Sequence, residues 1–110
     1  MRSGVPLFAL LFFACCGAEV RIHNNATIAL MDVKLAALAS QATIEAVPPS
    51  SVVTTKLCPR GEAGEFEISF KAGSQTYRTR QPAYFECNPA YVVDVQVSPT
   101  YTVTSHVTVR

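Results

Sequence analysis

The chain reads as an all-β protein: a small antiparallel β-sandwich of about seven or eight strands, immunoglobulin-like in look, behind an N-terminal export signal. Three observations predict it. Apolar and polar residues alternate with the period of a half-buried strand, clearest where Phe66, Ile68 and Phe70 interleave with Glu65, Glu67 and Ser69. Val, Thr and Tyr recur while long helical patterns are scarce. Pro, Gly, Asn and Ser clusters punctuate the runs at short intervals, as hairpins and corners require.

The N-terminus carries a different signal. Arg2 precedes an apolar run over residues 5–14, and the small residues Cys16, Gly17 and Ala18 follow. That order is the layout of a secretory signal peptide over residues 1–18, cut after Ala18 so that Glu19 opens a single domain over residues 19–110. The run falls short of the roughly 20 apolar residues that span a bilayer, so no transmembrane segment is expected in the mature chain. A second route reads Phe12-Phe13-Ala14-Cys15 as a lipobox, which would place a lipid on Cys15 and tether the domain to a membrane.

Within the domain, residues 20–23 form a short strand stopped by Asn24-Asn25. Residues 28–38 follow as a strand in which Ala29, Met31, Val33 and Leu35 alternate against Asp32 and Lys34, although residues 35–39 also have helical propensity. Residues 43–47 give the next strand, ended by the Pro48-Pro49-Ser50-Ser51 corner, where neither proline can donate to a ladder. Val53, Thr55 and Leu57 then alternate up to Cys58, and residues 59–64 form a loop. The Phe66 strand turns at Ala72-Gly73-Ser74 into residues 75–80, and Pro82 separates these from Tyr84-Phe85-Glu86-Cys87. Tyr91, Val93, Val95 and Val97 make another inward row. The last strand sets Tyr101, Val103, Val107 and Val109 on one face and Thr100, Thr102, Thr104, His106 and Thr108 on the other.

A domain this small has a limited core and often carries a staple. In an exported chain Cys58 and Cys87 read as a disulfide. Closing that loop contributes about 3.6 kcal/mol in the chain-entropy model. There is no Cys-x-x-Cys and no neighbouring His or Lys to lower a thiol pKa, so neither cysteine reads as a nucleophile.

Charge is balanced. Nine Lys and Arg against eight Asp and Glu give a formal net charge of +1, which loss of Arg2 reduces to neutrality. No basic patch points to nucleic acid. Arg78 and Arg80 fall on one solvated strand face, and Glu65 with Glu67 on another. That carboxylate pair has no aromatic neighbours to shape a sugar cleft. His23, His106 and Met31 show no metal-ligand spacing, and no Gly-x-Ser-x-Gly elbow or phosphate loop occurs. No catalytic residue, metal or cofactor is therefore expected, and the chain does not read as an enzyme. Asn25-Ala26-Thr27 is a glycosylation sequon in a turn, of consequence only in a eukaryotic secretory pathway.

The remaining expectation is a secreted or periplasmic accessory that docks onto another protein or a cell-envelope component. The Thr-rich terminal strand, with Val107 and Arg110, suits β-augmentation, and Tyr77 and Tyr84 could anchor the contact. The alternatives are an inhibitor of a secreted hydrolase, presenting Arg60 and Glu62 on the disulfide-flanked 59–64 loop, and a lipid-anchored envelope lipoprotein.

Overall fold

The computed structural model describes residues 17–110, so the apolar run and Cys15, the residue expected to carry a lipid on the second export route, lie outside the described residues. Eight strands follow one another with no helix among the described residues: β1 (Ala18–Asn24), β2 (Leu30–Ala37), β3 (Ser40–Val47), β4 (Ser51–Leu57), β5 (Ala63–Ala72), β6 (Gln75–Phe85), β7 (Tyr91–Val97) and β8 (Val103–Val109). They form two four-stranded sheets, ordered β4-β1-β7-β8 and β3-β2-β5-β6. Every pairing is antiparallel except β1 with β7. The likeness to immunoglobulin domains is one of architecture. Their constant-type strand order is ABED on CFG, whereas here the first strand sits between the fourth and the seventh.

The core lies between the sheets and follows the alternation. Val20, Ile22, Leu57, Val93 and Val95 from one sheet meet Val33, Leu35, Phe66, Ile68 and Phe70 from the other, all buried. The folded strand begins at Ala18, which is 0% exposed and opposite Leu57. Ala18, the residue before the expected cut, is thus part of the packed core.

Two elements depart from the simple alternation. Met31 is exposed rather than inward, because Asp32 takes φ 50° and the pairing with β5 shifts register between Met31 and Lys34. A bulge inserts one residue and flips the phase, so Leu30 and Val33 both point inward. The apolar tail of β2 is strand to Ala37, and the helical propensity of residues 35–39 is overridden. Leu38 and Ala39 then make a tight turn at φ 35° and 65°, a hairpin geometry that Asn and Gly adopt at less cost. In β6, Pro82 does not interrupt the strand as expected. The strand lies at a sheet edge, where a residue lacking an N–H is tolerated.

The sandwich has two distinct ends. At one, Cys58 after β4 and Cys87 after β6 form a disulfide across the two sheets, with Cα atoms 4.2 Å apart. At the other, the side chain of Asn24 is buried and donates to the carbonyls of Ile28 and Val47 at 2.9 and 3.0 Å. Its Oδ1 accepts from the Ala26 N–H.

Candidate functional site

The sandwich leaves four edge strands, β4 and β8 in one sheet and β3 and β6 in the other. An edge exposes unpaired N–H and C=O groups, and proteins commonly blunt it with charge or proline. β6 carries Arg78, Arg80 and Pro82, β3 carries Glu45, and β4 carries Lys56. β8 carries none of these. It spans Val103 to Val109, pairs with β7 alone and keeps one register throughout.

Hydrogen bonds at both ends of this pair fix which groups face outward. Arg110 N–H donates to Ala90 O at 2.7 Å, and Ser98 N–H donates to Thr102 O at 2.9 Å. Bonded pairs alternate along an antiparallel ladder. The even-numbered residues of β8 are therefore tied to β7, and the amide groups of Val103, Ser105, Val107 and Val109 point away from it. The side chains of those odd residues lean toward the other sheet. Val103 and Val107 pack against the core, and Ser105 Oγ donates to Pro82 O at 3.3 Å. Thr104, His106 and Thr108 face solvent, and Val109 is 62% exposed.

Arg110 closes this corner by donating to Glu19 Oε1 at 2.8 Å, while Arg21 holds the other carboxylate oxygen. The Arg21 hydrogen bond and the two guanidinium charges hold Glu19 below its ordinary pKa against the opposing effect of burial. Arg21 is raised in turn by the same carboxylate. Beside them on the outer face, His23 Nε2 lies 2.8 Å from Asp94 Oδ1, with both side chains half-buried. Sequence spacing gives no sign of this pair, since His23 and Asp94 meet only through the parallel β1–β7 register.

The two tyrosines play different parts. Tyr77 stacks on Phe70 at 5.3 Å and tilts against Tyr101 at 5.0 Å, so it closes the edge of the core rather than standing free. Tyr84 is 50% exposed at the disulfide end, where its hydroxyl donates to Glu86 and its ring meets Tyr91 edge-on at 6.2 Å. The hydrogen bond to Glu86 pushes the Tyr84 phenol well above its usual range. Desolvation, then the Glu86 charge, raises Tyr91. Glu62 adds negative charge to both.

Arg60 and Glu62 are exposed on the segment between Cys58 and β5, and Arg60 N–H donates to Leu38 O at 2.9 Å. On the outer face of the β3-β2-β5-β6 sheet, Arg78 and Arg80 stand 4.0 and 3.8 Å from Glu67 and Glu65. The two glutamates thus face arginines, and a shallow groove of about 300 Å³ between them and residues 36–41 mixes both signs of charge. Among the described residues no group of three or more His, Cys, Asp and Glu converges as metal ligands. No helix among them is long and apolar enough to cross a membrane.

The NMR structure of a protein from Eubacterium rectale superposes with a TM-score of 0.60 over 83% of this chain and 87% of that one, at 8% sequence identity. The likeness is one of fold. No protein-family model and no curated protein sequence matches the chain.

Proposed function

We propose that the protein is an exported binding module, not an enzyme, that docks onto another protein or a cell-envelope component by adding a strand to β8. The observation that carries this reading is the undefended β8 edge, uncharged and free of proline beside three edges that are blunted. Main-chain bonds to the outward amide groups supply affinity in this mode, and side chains at alternate positions supply selectivity. The Cys58–Cys87 disulfide supports an oxidising compartment, secreted or periplasmic.

The test places a photo-reactive residue at Thr108 in the exported protein and compares adducts with and without Ser105→Pro. Ser105 N–H faces outward, so proline removes an edge donor and leaves the β7 ladder whole, and Ser105→Ala, which removes only the Oγ contact to Pro82, is the control. Adducts that vanish in the Pro variant support edge docking. The same adducts in both variants would sink it.

A second reading rests on the pinned segment after Cys58. Arg60 and Glu62 are presented beside a disulfide and a main-chain bond, as in a loop offered to a secreted hydrolase. Inhibition lost on Arg60→Ala or Glu62→Ala, with thermal stability unchanged, would favour it over the β8 edge.

A further inference from the structure

We propose that the partner strand on β8 is β8 of a second copy of this chain, paired antiparallel about a twofold axis through His106. The proposal rests on the reading of β8 as a docking edge and adds the identity of the occupant. In a twofold antiparallel pair, each residue on one side of the axis meets the residue equally far on the other side. Centred on His106, the sequence Val103-Thr104-Ser105-His106-Val107-Thr108-Val109 reads almost alike in both directions. Val103 meets Val109 twice and Thr104 meets Thr108 twice. His106 meets itself, and only Ser105 against Val107 is unlike.

Three features of the molecule agree with this register. The outward amide groups belong to odd-numbered residues, and the His106 centre sets odd opposite odd, so the hydrogen bonds can form without sliding the strands. The solvent face then pairs Thr with Thr, a favourable cross-strand match, and brings no like-charged Lys, Arg, Asp or Glu together. Val109, the most exposed large apolar side chain among the described residues, is covered by Val103 of the second copy. A one-residue slip would set outward amides against residues bonded to β7. A two-residue slip toward Val107 shortens the pair and loses the Thr–Thr matches, and one toward Ser105 sets Thr104 against His106 and keeps a Thr–Thr match only by enlisting Thr102, which lies outside β8. The other three edges place charge, or charge with proline, in the same position, so β8 is the edge on which a like copy meets least repulsion.

The experiment measures mass and register separately. The exported protein is sized by light scattering across a concentration series, beside the double variant Thr104→Lys, Thr108→Lys. These side chains point to solvent, so the fold is left alone while lysines are set opposite one another. His106→Cys and Thr104→Cys are oxidised in parallel, with the unsubstituted protein as background. Position 106 faces itself in a non-bonded pair with Cα atoms about 4.5 Å apart, within disulfide reach. The two copies of position 104 would lie about 13 Å apart along the strands, so thiols placed there would not join.

The expected result is a doubled mass that the lysine pair abolishes, with a covalent dimer from His106→Cys alone. A single-copy mass throughout, a dimer indifferent to the lysine pair, or equal crosslinking at both positions overturns the proposal. A single-copy protein whose Thr108 adducts to another protein still vanish with Ser105→Pro would end the second-copy proposal and leave edge docking standing.

Discussion

The two ends of the sandwich solve one problem by different chemistry. Both must hold a sheet made of β4-β1-β7-β8 against one made of β3-β2-β5-β6. At one end a covalent bond does this, Cys58 to Cys87, and the backbone beside it is strained at Leu38 and Ala39. At the other, one buried amide reaches from β1 to the carbonyls of Ile28, Val47 and Pro48, and the rings of Phe70, Tyr77 and Tyr101 gather nearby. Residues with positive φ occur at both ends, Leu38 and Ala39 beside the staple and Ser50 and Tyr101 beside Asn24, so the staple is not what permits them. The Asn24 end is held by non-covalent contacts alone, the Asn24 hydrogen bonds and the ring cluster.

The largest effect should come from the staple. Replacing both Cys58 and Cys87 by Ser is expected to lower the unfolding free energy by about 3.6 kcal/mol, read from urea titration. Reducing the unsubstituted protein should reproduce that loss, and a redox-insensitive midpoint would mean the bond contributes little. Asn24→Leu should cost about 3 kcal/mol in either redox state, because it leaves buried carbonyls without a donor. If that cost disappears on reduction, the two ends are coupled rather than independent.

Smaller effects refine the stapled end. A chain starting at Glu19 lacks the buried Ala18 and should be about 1 kcal/mol less stable than one that includes Gly17 and Ala18. Intact mass of the processed protein identifies which form the cell makes, and a start at Cys15 with added acyl mass would identify the lipid-anchored form. Ala39→Gly should stabilise by about 0.5–1 kcal/mol, since glycine takes the φ of 65° without steric cost. A loss there would show that the Ala39 methyl matters more than the strain.

The smallest effect is electrostatic. Glu19 is held below its ordinary value of 4.5 by Arg21 and Arg110 when folded, so the folded state binds its proton more weakly than the unfolded one. That contribution is present above pH 4.5 and is lost as the pH falls through the lowered value. Glu19→Gln should flatten this acid-side loss in a pH series of thermal midpoints.

Much of this architecture was legible in the residues. Seven or eight strands were expected, and each of the eight observed strands contains a run read as strand, from period-two alternation where one face is buried and from turn residues at the ends elsewhere. Alternation failed at three places for local reasons. One is the last strand, which starts at Val103 because Tyr101 sits in the preceding turn at φ 66° with its N–H bonded to Ser98 O. The bulge at Asp32 shifted the phase of β2, and the edge position of β6 accommodated Pro82. Asn24 was readable as a turn residue only, although it lies in phase with Ala18, Val20 and Ile22 and so falls on the buried face. That phase was the signal for its structural role.

Strand content, the inward rows, the paired cysteines and the lack of Lys, Arg, Asp and Glu over residues 103–109 were determined by the sequence itself, since each depends on neighbours within a few residues or on residue type alone. Tertiary structure decided that β1 lies between β4 and β7, that His23 meets Asp94, and that β8 is one of the four edge strands. Strand order is set by how two apolar faces close over each other, a contact between residues far apart in the chain that no local pattern encodes.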